Sequence, residues 1–257
     1  MEIIIISITA LVASLLTFFS GFGLGTILTP AFILFFPIEI SIALTGIVHL
    51  LTNFFKIVLI GKHTNWKVGL KFGITAMLGA FIGAEILLIL SDQPMLYSYI
   101  FYGKTFSVTP IKLTISLLMF AFALFEIMPL LQKIVLDESK LFIGGLLSGF
   151  FGGLSGNQGA LRSIFLIRYG LTKESFIATG ILIACFVDII RLSVYSSRFF
   201  SVEIYQNINV LIVAIISAFA GAFIGNKLLK KVTLHFVQRA VTVMILMLAI
   251  GLGTGLI

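Results

Sequence analysis

The pentapeptide Gly-Ala-Phe-Ile-Gly occurs at residues 79–83 and recurs unchanged at residues 221–225. A second pattern, a serine followed four residues later by Thr-Gly, occurs at residues 41–46 and again at residues 175–180. The two patterns follow one another in the same order in each half of the chain. Ordered self-similarity of this kind indicates an internal duplication.

Each half also contains a glycine-rich stretch ahead of both patterns, at residues 21–25 and at residues 152–159. Three features therefore recur in the same order. We predict a first repeat over residues 1–132 and a second repeat over residues 133–257.

The amino-acid composition indicates whether the surface of the protein faces water or lipid. Of its 257 residues, 60% are hydrophobic and 11% are charged, whereas a soluble domain carries about 25% charged residues. With a mean hydropathy of +1.20, the chain cannot cover a surface that faces water. These values exclude a soluble enzyme, a nucleic-acid-binding protein and a disordered linker. The single cysteine, Cys185, lies in an apolar run, so no disulfide framework or cysteine metal site is expected.

Apolar runs predict ten membrane-embedded segments, because a bilayer-spanning helix needs roughly 20 apolar residues. The predicted segments are 3–20, 24–36, 40–61, 68–90, 111–131, 140–153, 157–168, 174–196, 207–229 and 235–257. Six of them are full length. The other four form two pairs, and a glycine-rich break joins the members of each pair.

Each repeat thus holds a broken pair followed by three long helices. Whether the pair crosses or re-enters, the number of crossings per repeat is odd, so the second repeat starts on the opposite side of the membrane. We predict an all-α polytopic membrane protein with two inverted repeats of five segments. This is the architecture of secondary transporters, which bind substrate at the repeat interface near the midplane.

The distribution of basic residues supports loops that alternate between the two sides of the membrane. Eleven lie in loops or segment ends on one side: Lys62, Lys67, Lys71, Lys133, Lys140, Arg168, Lys173, Lys227, Lys230, Lys231 and Arg239. Three lie on the other side: Lys104, Lys112 and Arg198. The positive-inside rule places the first group in the cytoplasm. We expect a multi-pass protein of a bacterial-type inner membrane, with both termini outside the cytoplasm and no cleaved signal peptide.

The two breaks are candidates for substrate binding, because a helix N-terminus carries partial positive charge and free N–H donors that favour an anion. Glycine lets the backbone approach the ligand closely. The predicted substrate-binding residues are Gly23, Gly25, Thr26, Thr29, Ser155, Gly156, Asn157, Gln158 and Arg162. Asn157, Gln158 and Arg162 are the principal candidates, although Arg162 could instead form a salt bridge across the repeat interface.

The remaining glycine patterns have a simpler interpretation. Small residues at a spacing of three or four permit close packing of membrane helices. We expect this role for the pentapeptide glycines at residues 79, 83, 221 and 225, and for those at residues 144, 145 and 149.

Ionisable and polar residues inside the long helices predict a transport path or coupling site. The path residues are His49, Asn53, Lys56, Asp188 and Arg191. For several of them a structural role is also possible. Asp188 and Arg191 could neutralise each other, Lys56 could extend to the membrane surface, and His49 could bond a carbonyl in the core.

The sequence resembles a known family at both breaks. Residues 21–30, Gly-Phe-Gly-Leu-Gly-Thr-Ile-Leu-Thr-Pro, followed by Thr-Gly at 45–46 and by Asn53 and Lys56, resemble the opening of the sulfite exporter TauE/SafE family. This family is also called the toluene sulfonate uptake permeases. The stretch 152–159 that leads into Arg162 resembles the signature of its second repeat. The resemblance implies a secondary carrier of sulfite, thiosulfate, sulfoacetate or another small organosulfonate.

Together these observations predict a secondary transporter of a small sulfur-containing anion, embedded in membrane lipid and without nucleic-acid partners. The three histidines are scattered and no phosphate-binding loop is present, so we expect no enzyme activity, no cofactor and no bound metal. Two alternatives stay open: a channel-like passive path for anions, and a membrane scaffold without transport.

Overall fold

A computed structural model describes residues 1–20, 23–127, 140–166, 169–198, 207–228 and 235–256 of the chain. The described α-helices are α1 (Glu2–Ser20), α2 (Gly25–Ile33), α3 (Ile38–Ile60), α4 (Trp66–Ser91), α5 (Pro110–Ile127), α6 (Leu141–Ser155), α7 (Gly159–Leu166), α8 (Lys173–Tyr195), α9 (Ile208–Leu228) and α10 (His235–Gly253). A short 3-10 helix, Gly61–His63, follows α3. Each of the ten predicted segments overlaps one of these helices.

Helix lengths agree with the sequence in part. Within the described residues, four helical stretches are long and apolar enough to cross a membrane, namely Ile38–His63, α4, α8 and α9. Six full-length segments are predicted from the sequence. The other two, α5 and α10, contain 18 and 19 described residues, and the predicted end of the fifth segment, residues 128–131, lies outside the described part. As predicted, α2 and α7 are short, with nine and eight residues.

The described residues agree with the predicted all-α membrane protein, and one of the loops contains an element that was not predicted. A β-hairpin connects α4 to α5, with strands β1 (Tyr97–Phe101) and β2 (Lys104–Val108) paired antiparallel from Tyr97↔Val108 to Phe101↔Lys104. Its turn consists of Tyr102 and Gly103, both at positive φ, as two-residue hairpin turns require. The strand residues are mostly aromatic, β-branched or polar. They favour a hairpin where the apolar run of α4 has ended.

The second glycine-rich break is shorter than predicted. Helix α6 continues through the glycines at residues 152 and 153 to Ser155, and only Gly156, Asn157 and Gln158 separate it from α7. Gly153 lies within α6, against the carbonyl of Ala80 in α4. Of the first break, the structure describes Gly23 and Leu24, while Gly21 and Phe22 lie outside the described residues.

The pentapeptide glycines pack helices together, as the sequence predicted. In α4, Gly79 and Gly83 lie against the carbonyls of Leu146 and Phe150 in α6. In α9, Gly221 lies against the carbonyl of Leu11 in α1. The α6 glycines at residues 144, 145 and 149 are also in tight contact with α7 or α4. A side chain at any of these positions would separate the two helices.

Helix pairing crosses between the halves of the chain. Helix α4 packs against α6 and α1 packs against α9, while α3 contacts α8 and α5 contacts α10. Large apolar side chains on the outer surfaces remain exposed, among them Val58, Ile74, Leu78 and Ile216. These side chains are suited to contact lipid. The polar residues of α3 and α8 are enclosed at the centre.

Candidate functional site

The two helix breaks meet inside the protein. A β-carbon added at Gly25 would lie 3.0 Å from the carbonyl oxygen of Gly156, and one at Gly23 would lie 3.7 Å from His49 Nε2. Gly156 itself has a φ of +79°, a left-handed conformation that glycine adopts without strain. Glycine on both sides therefore allows the break of the first half to touch the break of the second half.

A buried polar network joins α3 to α8 beside this contact. His49 Nδ1 lies 2.7 Å from Asp188 Oδ2, and Asn53 Nδ2 donates to the same oxygen at 3.4 Å. Arg191 donates from Nε to Asp188 Oδ1 at 3.0 Å, and its Nη2 lies 2.9 Å from that oxygen. All four residues are at most 2% exposed.

This network shows the contacts of three residues for which the sequence left alternatives open. Asp188 and Arg191 do pair, but the carboxylate also holds His49 and Asn53, so the pair is part of a larger cluster. His49 contacts the Asp188 carboxylate and the side chain of Asn53.

The guanidinium of Arg191 lies between two glycines. A β-carbon at Gly46 would lie 3.3 Å from its Cζ, and one at Gly156 would lie 3.0 Å from its Nη1. Among the described residues Nη1 has no hydrogen-bond partner, and neither does the hydroxyl of Thr29. A β-carbon at Gly156 would also lie 3.9 Å from Thr29 Oγ1. Two buried polar groups without a hydrogen-bond partner among the described residues therefore lie at the contact between the breaks.

One cavity, which we name the cationic cavity, has a volume of about 20 Å³. Its lining residues are Thr17, Phe18, His49, Asn53, Lys56, Arg162, Leu166, Phe176, Ile177, Gly180, Ile181 and Ala184. Arg162 packs closely on α8, because a β-carbon at Gly180 would lie 3.3 Å from its Nε. The cavity thus combines two cationic side chains with mostly apolar walls.

Lys56 does not extend to the membrane surface. It is 3% exposed, and its Nζ lies 5.6 Å from the ring centroid of Phe18. An ammonium held over an aromatic face gains some cation–π stabilisation. The alternative of an extended surface lysine is therefore wrong, and Lys56 faces the interior.

A second cavity, which we name the neutral cavity, has a volume of about 10 Å³. Its polar lining consists of Thr26, Thr29, Ser155 and Asn157, beside apolar residues of α5 and α10. Asn157 Oδ1 has no hydrogen-bond partner among the described residues. The Ser155 hydroxyl donates to the carbonyl of Phe151 at 3.0 Å, so it is already engaged in ending α6.

The structure divides the predicted binding set. Thr26, Thr29, Ser155 and Asn157 line the neutral cavity, whereas Arg162 lines the cationic cavity together with three of the path residues. Gln158 lines neither. Its buried side-chain amide packs against Gly152 and has no hydrogen-bond partner among the described residues. The two cavities have no lining residue in common.

Three further residues have positions at the site that the sequence did not predict. Gly46 and Gly180 leave room for Arg191 and Arg162, respectively. The recurrence of Thr-Gly at residues 45–46 and 179–180 was the available signal, since both copies lie beside an arginine. Tyr195, whose hydroxyl donates to the carbonyl of Gly153, ties α8 to the end of α6.

Comparison with known proteins gives one result. A family model described as sulfite exporter TauE/SafE matches residues 6–252 of the chain. No match was found among curated proteins or among solved structures. The matched range covers nearly the whole chain, including both breaks and the buried network. The chain therefore belongs to the sulfite exporter TauE/SafE family, a family of multi-pass membrane transporters.

Proposed function

We propose that the protein is a secondary transporter that moves a small sulfur-containing anion across the cytoplasmic membrane by alternating access. Sulfite, thiosulfate, sulfoacetate and other small organosulfonates are the candidate substrates. The observation that carries the proposal is the separation of the two cavities, which have no lining residue in common. His49 and Asn53 of the buried network line the cationic cavity. Thr29, which lies at the contact between the breaks, lines the neutral cavity.

The size of the cavities supports a carrier over an open channel. A site for one water molecule needs about 10–15 Å³, and the cavities measure about 20 and about 10 Å³. A sulfur oxyanion is larger than water, so a cavity must widen to admit it. We infer that the protein opens one cavity at a time, with the other closed.

The packing of helices of one half against helices of the other half supports an inverted repeat. The fourth helix of each half packs against the first helix of the other, and α3 contacts its counterpart α8. A two-fold axis that relates the two repeats would generate both of these pairs. Rocking of one set of helices against the other around a central site is the usual motion of such transporters.

Export is the direction that needs no coupling ion. With a negative interior, exit of one negative charge is favoured by about 2.3 kcal/mol per 100 mV. Uptake would instead need a driving ion, and His49 and Asp188 are the residues placed to carry a proton. With the termini outside the cytoplasm, the cationic cavity belongs to the cytoplasmic half, because it is lined by the end of α3 and the start of α8.

Counterflow in liposomes tests the carrier mechanism. The purified protein is reconstituted, and uptake of radiolabelled thiosulfate is measured with and without unlabelled thiosulfate inside. We expect saturation, and faster uptake when the inside is loaded. Flux that neither saturates nor responds to loading would indicate a channel. Flux equal to that of empty liposomes, unchanged by Arg162→Ala or Asn157→Ala, would support the scaffold.

Thermal unfolding tests the substrate class. A ligand present at about 100 times its dissociation constant stabilises a protein by about 2.7 kcal/mol. We expect stabilisation by sulfite, thiosulfate or sulfoacetate and none by carboxylates of matched size. Equal stabilisation by both classes would contradict a sulfur-anion site.

A further inference from the structure

The β-hairpin between α4 and α5 ends in an exposed apolar tip. We name residues 100–102, which lead into the turn, the hairpin tip. Ile100 is 76% exposed, Tyr102 is 91% exposed, and Phe101 between them is about half exposed. The rings of Phe101 and Tyr102 contact each other edge to face, with their centroids 4.7 Å apart. The hairpin tip therefore presents a continuous apolar surface to its surroundings.

The base of the hairpin is bonded to the ends of two helices. The hydroxyl of Tyr99 donates to the carbonyl of Thr254, directly after α10, at 2.7 Å. Lys112 of α5 donates from Nζ to the carbonyl of Ser107 at 3.3 Å. A β-carbon added at Gly255 would lie 2.6 Å from the same carbonyl oxygen. These contacts fix the direction in which the hairpin tip projects.

The length of α4 places the hairpin at the membrane surface. With 26 residues and about 1.5 Å per residue, α4 is about 39 Å long. The hydrocarbon core of a bilayer is about 30 Å thick, and the headgroup regions extend the bilayer to about 40–45 Å. A helix of this length that spans the core ends among the headgroups, and strand β1 begins soon afterwards at Tyr97.

The surface suited to lipid continues on both sides of the hairpin. Ile89 near the end of α4 and Leu113 near the start of α5 are both exposed apolar side chains. The hairpin tip lies in the connection between these two helices. It therefore extends the lipid-facing surface of α4 and α5 toward the membrane–water boundary.

The chemistry of the hairpin fits the headgroup layer better than the hydrocarbon core. Aromatic side chains concentrate at the membrane–water interface. Lys104 pairs with Phe101 across the strands, and a basic side chain at the surface is attracted to negatively charged headgroup atoms. No acidic residue occurs in residues 93–108. The two-stranded sheet also has open edges, which do not occur exposed to lipid in the hydrocarbon core.

We propose that the hairpin tip inserts among the headgroups of the phospholipids and anchors the ends of α5 and α10 at a fixed depth in the membrane. The aromatic rings and the ammonium of Lys104 bind the interface of the bilayer without selecting one kind of headgroup. Because α5 and α10 both contribute apolar residues to the neutral cavity, the anchor holds one wall of that cavity relative to the bilayer.

The depth of the hairpin tip can be measured because the chain has a single tryptophan, Trp66. Trp66→Phe gives a background without tryptophan, and Tyr102→Trp then places one reporter at the tip. The full-length protein is reconstituted into phosphatidylcholine vesicles whose acyl chains carry bromine either close to the headgroup or close to the chain end. Bromine quenches tryptophan fluorescence at short range. We expect the bromines close to the headgroup to quench at least about twofold more strongly than those at the chain end.

Ser98→Trp in the same background is the matched control. Ser98 is exposed and pairs with Ser107, so it lies on the face of the hairpin that carries hydroxyl groups. It also lies four residues before Tyr102, about 13 Å away along the strand. We expect bromine to quench this reporter clearly less than the one at the tip. Equal quenching at both positions would overturn insertion by the tip.

A reporter at Tyr102→Trp that bromine does not quench would overturn the proposal, and its emission would identify what surrounds the tip. Emission typical of tryptophan in water would show a tip that faces solvent. Emission at shorter wavelength that depends on the ratio of protein to lipid would show a tip covered by a second copy of the chain. If Tyr102→Trp does not fold, Phe101→Trp gives the same measurement, because the two rings are in contact.

Discussion

The cationic cavity and the neutral cavity differ in the groups that they offer to an anion. The first combines Lys56 and Arg162 with mostly apolar walls, and the second offers hydroxyl and amide groups but no charge. Charge gives tight binding over a wide range of geometries, whereas neutral groups bind weakly and release easily. A transporter that captures an anion in one cavity and releases it from the other needs this asymmetry.

The largest effect is expected in the buried network, of which His49 and Asn53 line the cationic cavity. Asp188→Asn leaves Arg191 buried without a counter-charge, so we expect a loss of about 3–5 kcal/mol in the free energy of unfolding. Thermal unfolding in detergent measures it. The control is Asp92→Asn, which removes an exposed ion pair with Arg198 and should cost about 1 kcal/mol or less. Similar melting of both variants would contradict a central role for Asp188.

Removal of the cationic cavity's arginine should have the next largest effect. Arg162→Gln loses charge-assisted hydrogen bonds to the anion, each worth about 1.5–3 kcal/mol, so affinity should fall about ten- to a hundredfold. Titration calorimetry with thiosulfate measures the affinity, and size-exclusion chromatography checks folding. A variant that keeps its affinity for thiosulfate but aggregates more readily on the column would instead show that Arg162 serves as a structural salt bridge.

The contact between the breaks can be tested with two glycines in the same conformation. Gly156→Ala and Gly103→Ala both place a β-carbon at positive φ, which costs about 1–2 kcal/mol. Only the first meets the Arg191 guanidinium, since nothing lies within 4 Å of the second. We expect both to lower the melting temperature, Gly156→Ala at least as much as Gly103→Ala because of this contact, and only Gly156→Ala to reduce flux in liposomes. Equal flux in the two variants would exclude a role for this contact in transport.

A change in the neutral cavity should have the smallest effect. Thr29→Val removes a buried hydroxyl that has no hydrogen-bond partner among the described residues, so stability should be unchanged or slightly raised. One neutral hydrogen bond to the anion is worth about 0.5–1.5 kcal/mol, so affinity should fall about two- to tenfold. Calorimetry with thiosulfate measures the change. A loss as large as that of Arg162→Gln would show that the two cavities do not differ as proposed.

Much of the fold could be predicted from the sequence, because helices in a bilayer follow from the lengths of apolar runs. The packing of α1 against α9 and of α4 against α6 could not be predicted, although the glycines at residues 79 and 221 lie at these two interfaces. A glycine pattern identifies a close contact without naming the partner. For the same reason, the contact of Gly153 with Ala80 could not be predicted from the sequence.

The candidate site was predictable in its residue types and not in its arrangement. Arg162 follows the second break by one turn, yet it lines a different cavity from Asn157, because α7 leads away from the break. Its neighbour Lys56 is distant in sequence. The hairpin was missed because residues 97–108 were treated as a loop between apolar segments, although their aromatic and β-branched residues flank a turn glycine.

The pairing of α1 with α9 has a consequence for synthesis of the protein. Leu11 is translated about 200 residues before Gly221, its contact in α9, and a ribosome adds about 5–20 residues per second. The first helix is therefore synthesised about 10–40 s before α9, its packing partner. During that interval α1 must be held by lipid or by the insertion machinery. Neither half should accumulate when made alone, whereas the two halves made together as separate chains should restore both glycine-lined interfaces.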